Sequence, residues 1–417
     1  MRHCLAFVRR KSKATSLSKS PKGGAPRARN AQSKKGGARK DNGPKRGFSA
    51  KRDTRDNRDQ REARNPRDTR GGKKDSVAAA RPNRREQMRS APATTVVEPI
   101  VREHKPTSAR FTTPASVLPV MVEMNGWDDY ALLDMGHGQK LERYGRYKLI
   151  RPEAQAMGAP RLPESEWKSA DAIFTGDVEE EGPGRWKFAN QVDEIWQMKY
   201  GPATFNGQFM SFRHVGVFPE QAAHWDWVGE QIKKVDRPLK ILNLFGYTGM
   251  ASLLPAALGA QVTHVDASKK AIVWARENQE LSGLEDKPIR WICDDAMKFV
   301  EREVRRGNTY DGIILDPPKY GRGPNGEVWD FFESVPHMLA CVRKLLSPNA
   351  QFLLMSSYAI RASFLSSHEL MRECLDGLPG TIESGELAIR ELDGPRLLST
   401  SLFSRWSAPD NNKAEGA

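Results

Sequence analysis

The sequence predicts an α/β fold: a mostly parallel sheet closed by an antiparallel hairpin, with a small β-rich domain before it and a basic tail in front of both. Three observations predict it. Short apolar runs alternate with helical stretches from Pro219 onward, which implies βαβ units and a parallel sheet. Aromatic residues cluster between Gly126 and Phe212, broken by Gly and Pro. The charge is uneven: residues 1–100 hold 29 Lys and Arg against 9 Asp and Glu, net +20, while the other 317 of the 417 residues are net −6. A chain of this length has room for two or three domains at roughly 100–200 residues each.

The tail is expected to span residues 1–117. It carries three aromatics (Phe7, Phe48, Phe111) and the low-complexity run KRDTRDNRDQREARNPRDTR. Such a composition buries too little apolar area to offset about 1–2 kcal/mol per residue of backbone ordering, so disorder is expected. A polybasic arm suits RNA phosphates, whose neutralisation releases counterions. A solubilising tail, or a transit peptide in MRHCLAFVRRKSKATSLSKS, is the other reading, the latter implying an organellar rather than a cytoplasmic protein. The four cysteines, Cys4, Cys293, Cys341 and Cys374, are far apart with no CxxC spacing. That argues against a disulfide scaffold and a structural zinc site, and no metal is expected. No run reaches the 18 or more apolar residues of a membrane span. The oligomeric state is not legible.

The small domain is expected over residues 118–215. Its hairpin signal is the pair of alternating segments flanking Gly136-His137-Gly138 in DYALLDMGHGQKLERYGRYKLIRP. Trp167, Phe174, Trp186, Phe188, Trp196 and Tyr200 either fill a β core or stack bases, and a small β domain needs them for its core. The α/β domain is expected over residues 216–408, leaving 409–417 as a disordered end. PEQAAHWDWVGEQIKKV starts it as a helix, with Pro at the first position and Ala222, Ala223, Trp227, Val228 and Ile232 at helical spacing. Strands follow at 239–245, 261–267, 289–295, 311–318 and 351–357, and GELAIREL with RLLSTSLFSRW makes the closing hairpin.

In open α/β sheets ligands bind beyond the carboxyl ends of the strands, and four motifs stand there. In Asn243-Leu244-Phe245-Gly246-Tyr247-Thr248-Gly249 the glycines permit close backbone approach to a ligand, though a tight turn explains them equally well. Asp266 ends the next strand, placed to accept hydrogen bonds from a ribose diol or to face solvent. Asp294-Asp295-Ala296 suits an adenine amino group, or a helix N-cap, or one aspartate for each. Asp316-Pro317-Pro318-Lys319-Tyr320 is the most specific. Two prolines fix the backbone behind a carboxylate, with carbonyls and an aromatic face nearby for a planar nitrogenous base.

With NLFGYTG, THVDASKKAIVWARENQELSGL, the DDA triplet and ILDPPKYG, the sequence resembles the class I S-adenosylmethionine-dependent methyltransferases of the bacterial 23S rRNA cytosine-C5 and guanine-N7 group, over roughly Trp127 to Trp406. The resemblance implies a Rossmann-like sheet and S-adenosylmethionine as cofactor. It implies a cofactor site at Phe218, Gln221, Asn243, Phe245, Gly246, Tyr247, Thr248, Gly249, Asp266, Ala267, Ser268, Asp295, Ala296 and Asp316, with Asp316, Lys319 and Tyr320 at the chemistry. It also implies a cytoplasmic enzyme acting on RNA, ribosomal above all. A methyltransferase acting on a small molecule or protein, and a non-catalytic RNA-binding assembly factor, are the alternatives. Cytosine-C5 chemistry needs a cysteine thiolate to attack C6. Where that cysteine would stand the chain has DPPKYG and Met355-Ser356-Ser357, so transfer to a nitrogen is expected.

Overall fold

The computed structural model describes residues 114–124, 126–176, 184–358 and 360–410. The expected tail lies outside the described residues except for 114–117, and the expected C-terminal end except for 409–410. Strand β1 (Ala115–Glu123) begins within the stretch assigned to the tail and belongs to the large sheet, where it pairs in parallel with a strand near the C-terminus. Its side chains are mostly exposed, so no alternation of buried and exposed positions marks it.

The β-rich part carries β2 (Tyr130–Gly136), β3 (Gln139–Tyr144), β4 (Tyr147–Pro152), the short α1 (Glu164–Lys168), β5 (Ala172–Thr175) and β6 (Arg185–Phe188). These five strands form one sheet in chain order, and β7 (Ile195–Tyr200) with β8 (Ala203–Gln208) form a separate hairpin. The β2–β3 turn is His137-Gly138, both with positive φ (51° and 76°), which matches the twist of a two-residue hairpin. Tyr130, Tyr144, Phe174, Trp196 and Phe205 are buried as core aromatics, whereas Phe188 is exposed. The apolar core runs on without a break into Trp225, Met250 and Leu253 of the α/β part. A buried ion pair sits at its edge: Arg151 Nε and Nη2 donate to Glu142 at 2.7 and 2.8 Å.

The α/β part opens with a 3-10 turn (Pro219–Gln221) and α2 (Ala222–Lys233). It continues with β9 (Lys240–Leu244), α3 (Met250–Ala257), β10 (Gln261–Asp266), α4 (Lys269–Leu281), β11 (Ile289–Cys293), α5 (Ala296–Arg306) and β12 (Gly312–Leu315). A small ribbon of β13 (Tyr320–Arg322) and β14 (Val328–Asp330) precedes α6 (Phe331–Leu345), β15 (Phe352–Tyr358), α7 (Phe364–Cys374), β16 (Thr381–Arg390) and β17 (Leu397–Ser407). The large sheet runs β1-β16-β17-β15-β12-β9-β10-β11, parallel throughout except for β17. Its central strands read as continuous apolar runs because helices cover both faces; all four residues of β12 are buried. The chain order reverses between β9 and β12, and that switch point opens the crevice above their carboxyl ends.

Candidate active site

The turn after β9 is tightly braced. Phe245 and Tyr247 hold φ of 60° and 50°, a left-handed conformation costing of order 1–3 kcal/mol each, which persists only where the surroundings impose it. Gly246 lies between them, and a Cβ there would come within 2.3 Å of the His264 ring. Below, Asn243 Nδ2 donates to Ser252 Oγ at 2.8 Å, and Ser252 Oγ meets His264 Nδ1 at 2.9 Å. Burial pushes His264 down to about 3, so this ring is neutral and acts as packing. Thr248 Oγ1 donates to the Gly216 carbonyl at 2.7 Å. Asn243 and Thr248 therefore face inward and fix the turn; both line only a small cavity of about 50 Å³ beneath it. Gly249 caps α3 with φ 94°.

A larger cavity of about 410 Å³ lies above the turn, within the usual range of small-molecule sites. Of the residues expected at a cofactor, Phe218, Gln221, Phe245, Tyr247, Asp266, Ala267, Ser268, Asp295, Ala296 and Asp316 all line it. Asp266 accepts from the backbone N–H of Tyr247 (2.9 Å, Oδ2) and of Ser268 (2.7 Å, Oδ1). Both carboxylate oxygens are thus aimed by the turns they brace. Burial raises its pKa, and those two N–H groups pull it back. Asp295 Oδ1 accepts from Lys298 N at 2.9 Å as the N-cap of α5, while Asp294 pairs with Arg302 at 2.6 Å. The capping duty therefore falls on the residue facing the cavity.

Asp316, half-buried at the end of β12, accepts from Ser356 Oγ at 2.8 Å, and Gln221 Nε2 donates to that same hydroxyl at 3.1 Å. Lys319 and Tyr320, expected at the chemistry, are exposed and line neither cavity. The Pro317-Pro318 pair turns the chain away into β13, and the Pro318 carbonyl is taken by Trp329 Nε1 at 2.8 Å. The aromatic faces come instead from the expected Phe218, Phe245 and Tyr247 together with His214, Trp329 and Tyr358, which the sequence did not single out. Phe218 meets His214 (ring centroids 4.4 Å), Tyr358 (5.6 Å) and Tyr247 (5.8 Å), and Trp329 meets Phe245 (4.9 Å). Position alone could have flagged Tyr358, the last residue of β15. Among the described thiols, Cys293 is exposed, Cys341 is buried in α6, and burial pushes Cys374 up to about 12.

An acid at the second strand's end, a braced turn at the first and a carboxylate at the fourth define a nucleoside-cofactor enzyme of the class I methyltransferase type. The chain belongs to the S-adenosylmethionine-dependent methyltransferases: residues 178–375 match the family so described. A crystal structure of the SAM-dependent methyltransferase from Agrobacterium tumefaciens is 57% identical, with a TM-score of 0.69, covering 71% of this chain and 96% of that one. A SAM-dependent methyltransferase from Streptococcus mutans, 16% identical, shares the fold at a TM-score of 0.51 over 66% of this chain and 75% of that one. Among curated relatives, a ribosomal RNA large subunit methyltransferase K/L from Shewanella frigidimarina is 33% identical over 40% of this chain and 24% of its own length. Another, from Shewanella baltica strain OS195, is 27% identical over 58% and 36%. The chain thus spans about a quarter to a third of those relatives.

The site fits S-adenosylmethionine. Asp266 offers a carboxylate already oriented by two N–H groups to a diol, Phe218 and Tyr247 supply apolar faces, and Asp295 and Ala296 close the far end at the start of α5. Among the described residues, no helix is long and apolar enough to cross a membrane.

Proposed function

We propose that this chain transfers a methyl group to a base nitrogen of large-subunit ribosomal RNA. The observation that carries the reading is Ser356. Where cytosine-C5 chemistry would require a thiolate, the chain has a hydroxyl that donates to Asp316 at 2.8 Å. A base nitrogen is already nucleophilic and needs alignment rather than covalent activation. When bound, S-adenosylmethionine supplies a methyl group on a positively charged sulfur, an activated donor. The chain's own work is then placement, which can supply about 7–11 kcal/mol of the barrier. Asp266 and Asp295 hold the nucleoside part, and Phe218 and Tyr358 keep water off the cavity mouth. Asp316, held in one orientation by Ser356 and Gln221, accepts an N–H of the base. The printed names of the curated relatives support RNA as the acceptor, and the net +20 of residues 1–100 suits its phosphates. The reading implies a cytoplasmic enzyme.

The test is nucleoside mass spectrometry of an unmodified large-subunit ribosomal RNA transcript incubated with the chain and S-adenosylmethionine. A new N-methylated base is expected. A 5-methylcytosine product, or a covalent complex with 5-fluorocytosine RNA, would overturn the nitrogen assignment.

A further inference from the structure

Lys319 and Tyr320 directly follow the Pro317-Pro318 pair, and the β13–β14 ribbon decides where they point. Its register sets Tyr320 opposite Asp330, Gly321 opposite Trp329 and Arg322 opposite Val328. Side chains alternate along a strand, and directly opposed residues share a face. Gly321 and Trp329 therefore make one face of the ribbon, and Tyr320, Arg322, Val328 and Asp330 the other. The first face is turned in: Trp329 is 5% exposed, packs on Phe245 and donates to the Pro318 carbonyl at 2.8 Å. The second is turned out, with Tyr320 54% and Val328 60% exposed. Lys298 of α5 pairs with Glu327 and so ties the ribbon's turn to the helix that Asp295 caps. Gly321, Arg322, Gly323 and Trp329 line the same 410 Å³ cavity as Asp266 and Asp316, so the outward face borders the cavity's mouth. Lys319 and Arg322 are exposed, and neither side chain has an ion-pair or hydrogen-bond partner among the described residues. Asp330 is committed to the N–H groups of Phe332 and Glu333, and Glu327 to Lys298. Two cations thus flank an exposed aromatic ring at the edge of the site.

We propose that the outer face of this ribbon holds the single-stranded RNA next to the acceptor nucleotide, which rests on the reading of the chain as an RNA base methyltransferase. A base that enters the cavity toward Asp316 has to leave its stack, and its neighbours on the strand then lose a stacking partner. Tyr320 offers its ring to one of them, with Val328 widening the apolar surface beside it. Lys319 and Arg322, one on each side of Tyr320 in the chain, take the adjoining phosphates, the arginine through its planar fork. Every base has a π-face and every nucleotide a phosphate, so this face holds RNA without reading its sequence. It sets affinity and brings the acceptor to the cavity, while the choice of base rests with the residues inside. Lys319, Tyr320 and Arg322 are accordingly positioning residues that act on the strand and not on the reacting atoms.

The experiment uses the full chain, tritiated S-adenosylmethionine and the unmodified large-subunit ribosomal RNA transcript, with Tyr320→Ala, Tyr320→Phe, Lys319→Gln and Arg322→Gln as variants. S-adenosylhomocysteine affinity, measured by calorimetry, reports on the cofactor cavity and is expected to stay close to the parent's. Tyr320→Ala should raise KM for RNA roughly 5- to 150-fold, the factor that stacking one base contributes, with the loss in KM and not in kcat. Tyr320→Phe, which keeps the ring, should recover most of that affinity. Lys319→Gln and Arg322→Gln should each flatten the slope of log affinity against log salt by about 0.7. A fall in kcat at unchanged KM would put these residues at the chemistry and overturn the assignment. Loss of S-adenosylhomocysteine affinity would put them at the cofactor and overturn it as well. Parental KM and salt slope in every variant would leave the face to a partner of another kind, overturning the assignment with the RNA reading intact. A parent that binds S-adenosylhomocysteine yet transfers no methyl to the transcript would overturn both.

Discussion

Asp266 accepts two backbone N–H groups before any ligand arrives, so its substitution has two separable effects. Asp266→Ala removes the acceptor for a diol and frees the turns at Tyr247 and Ser268. Cofactor affinity should fall about 10- to 150-fold, from a loss of roughly 1.5–3 kcal/mol. Asp266→Asn, which keeps an acceptor oxygen, should fall less; calorimetry on both variants checks this, and unchanged binding in a folded Asp266→Ala protein would reject the role. Asp316→Ala should behave differently if Asp316 holds the acceptor as proposed: turnover abolished, cofactor affinity largely spared. Cys293→Ser and Cys341→Ser should keep turnover. Single-turnover assays on the five variants distinguish these outcomes. Asp266 and Asp316 were legible in the sequence because each ends an apolar run, and chain order fixes where strand ends meet. Lys319 and Tyr320 stand exposed and line neither cavity, because a Pro-Pro pair specifies a sharp redirection without its direction. Asn243 shows what a strand-end motif does not reveal: a polar residue inside a strand covered on both faces pairs internally, here with Ser252.

The 3-10 turn before α2 places two neighbouring side chains in opposite roles. Gln221 joins Ser356 at the site, whereas Glu220 is buried beside the charged cluster of the β-rich part, with Ser401 Oγ 3.4 Å away. Burial pushes the Glu220 carboxyl up to about 7; Lys140 and Arg151 pull it down, and Asp316 adds a further push upward. Between the usual glutamate value of about 4.3 and pH 7, the folded chain retains a proton that the unfolded chain has released. Stability from this group is therefore full below that window and falls as pH rises through it. Glu220→Gln should flatten the slope and be the more stable protein at pH 8, by on the order of 3 kcal/mol for a shift of this size. Urea midpoints at pH 5 and pH 8 measure it, and parallel slopes for parent and variant would show that Glu220 ionises like an ordinary surface carboxylate. Elements such as β9, β10, β12 and β15 were readable because burial on both faces writes itself as an apolar run. The cluster around Glu220 was not, since Lys140, Glu142 and Arg151 sit on one hairpin roughly 70 residues or more before Glu220 and nothing local marks a charge as buried.

Across the whole chain, the basic first quarter and the acidic remainder invite a test by division. If residues 1–100 contact RNA, their removal should weaken RNA binding and flatten its salt dependence. At a slope of about −0.7 per phosphate on single strands, losing five contacts changes the slope by roughly 3.5. Turnover at saturating RNA should persist, because the site lies beyond Trp127. Affinity titrations across salt concentrations check this, and superimposable curves would leave the tail without an RNA role. The place of the cut matters, for a reason that lies in β1. That strand covers β16 along Thr381–Ala388, and it bulges between Val117 and Val120 so closely over Gly385 that a Cβ there would meet the Val120 carbonyl at 1.8 Å. Removing residues through Glu123 would bare the outer N–H and C=O groups of β16, a ready template for another chain. Such a truncation should self-associate at concentrations where the shorter deletion remains monodisperse, which light scattering would reveal. Strand β1 thus serves as a selvage, the woven border that keeps the cloth from unravelling into its neighbour.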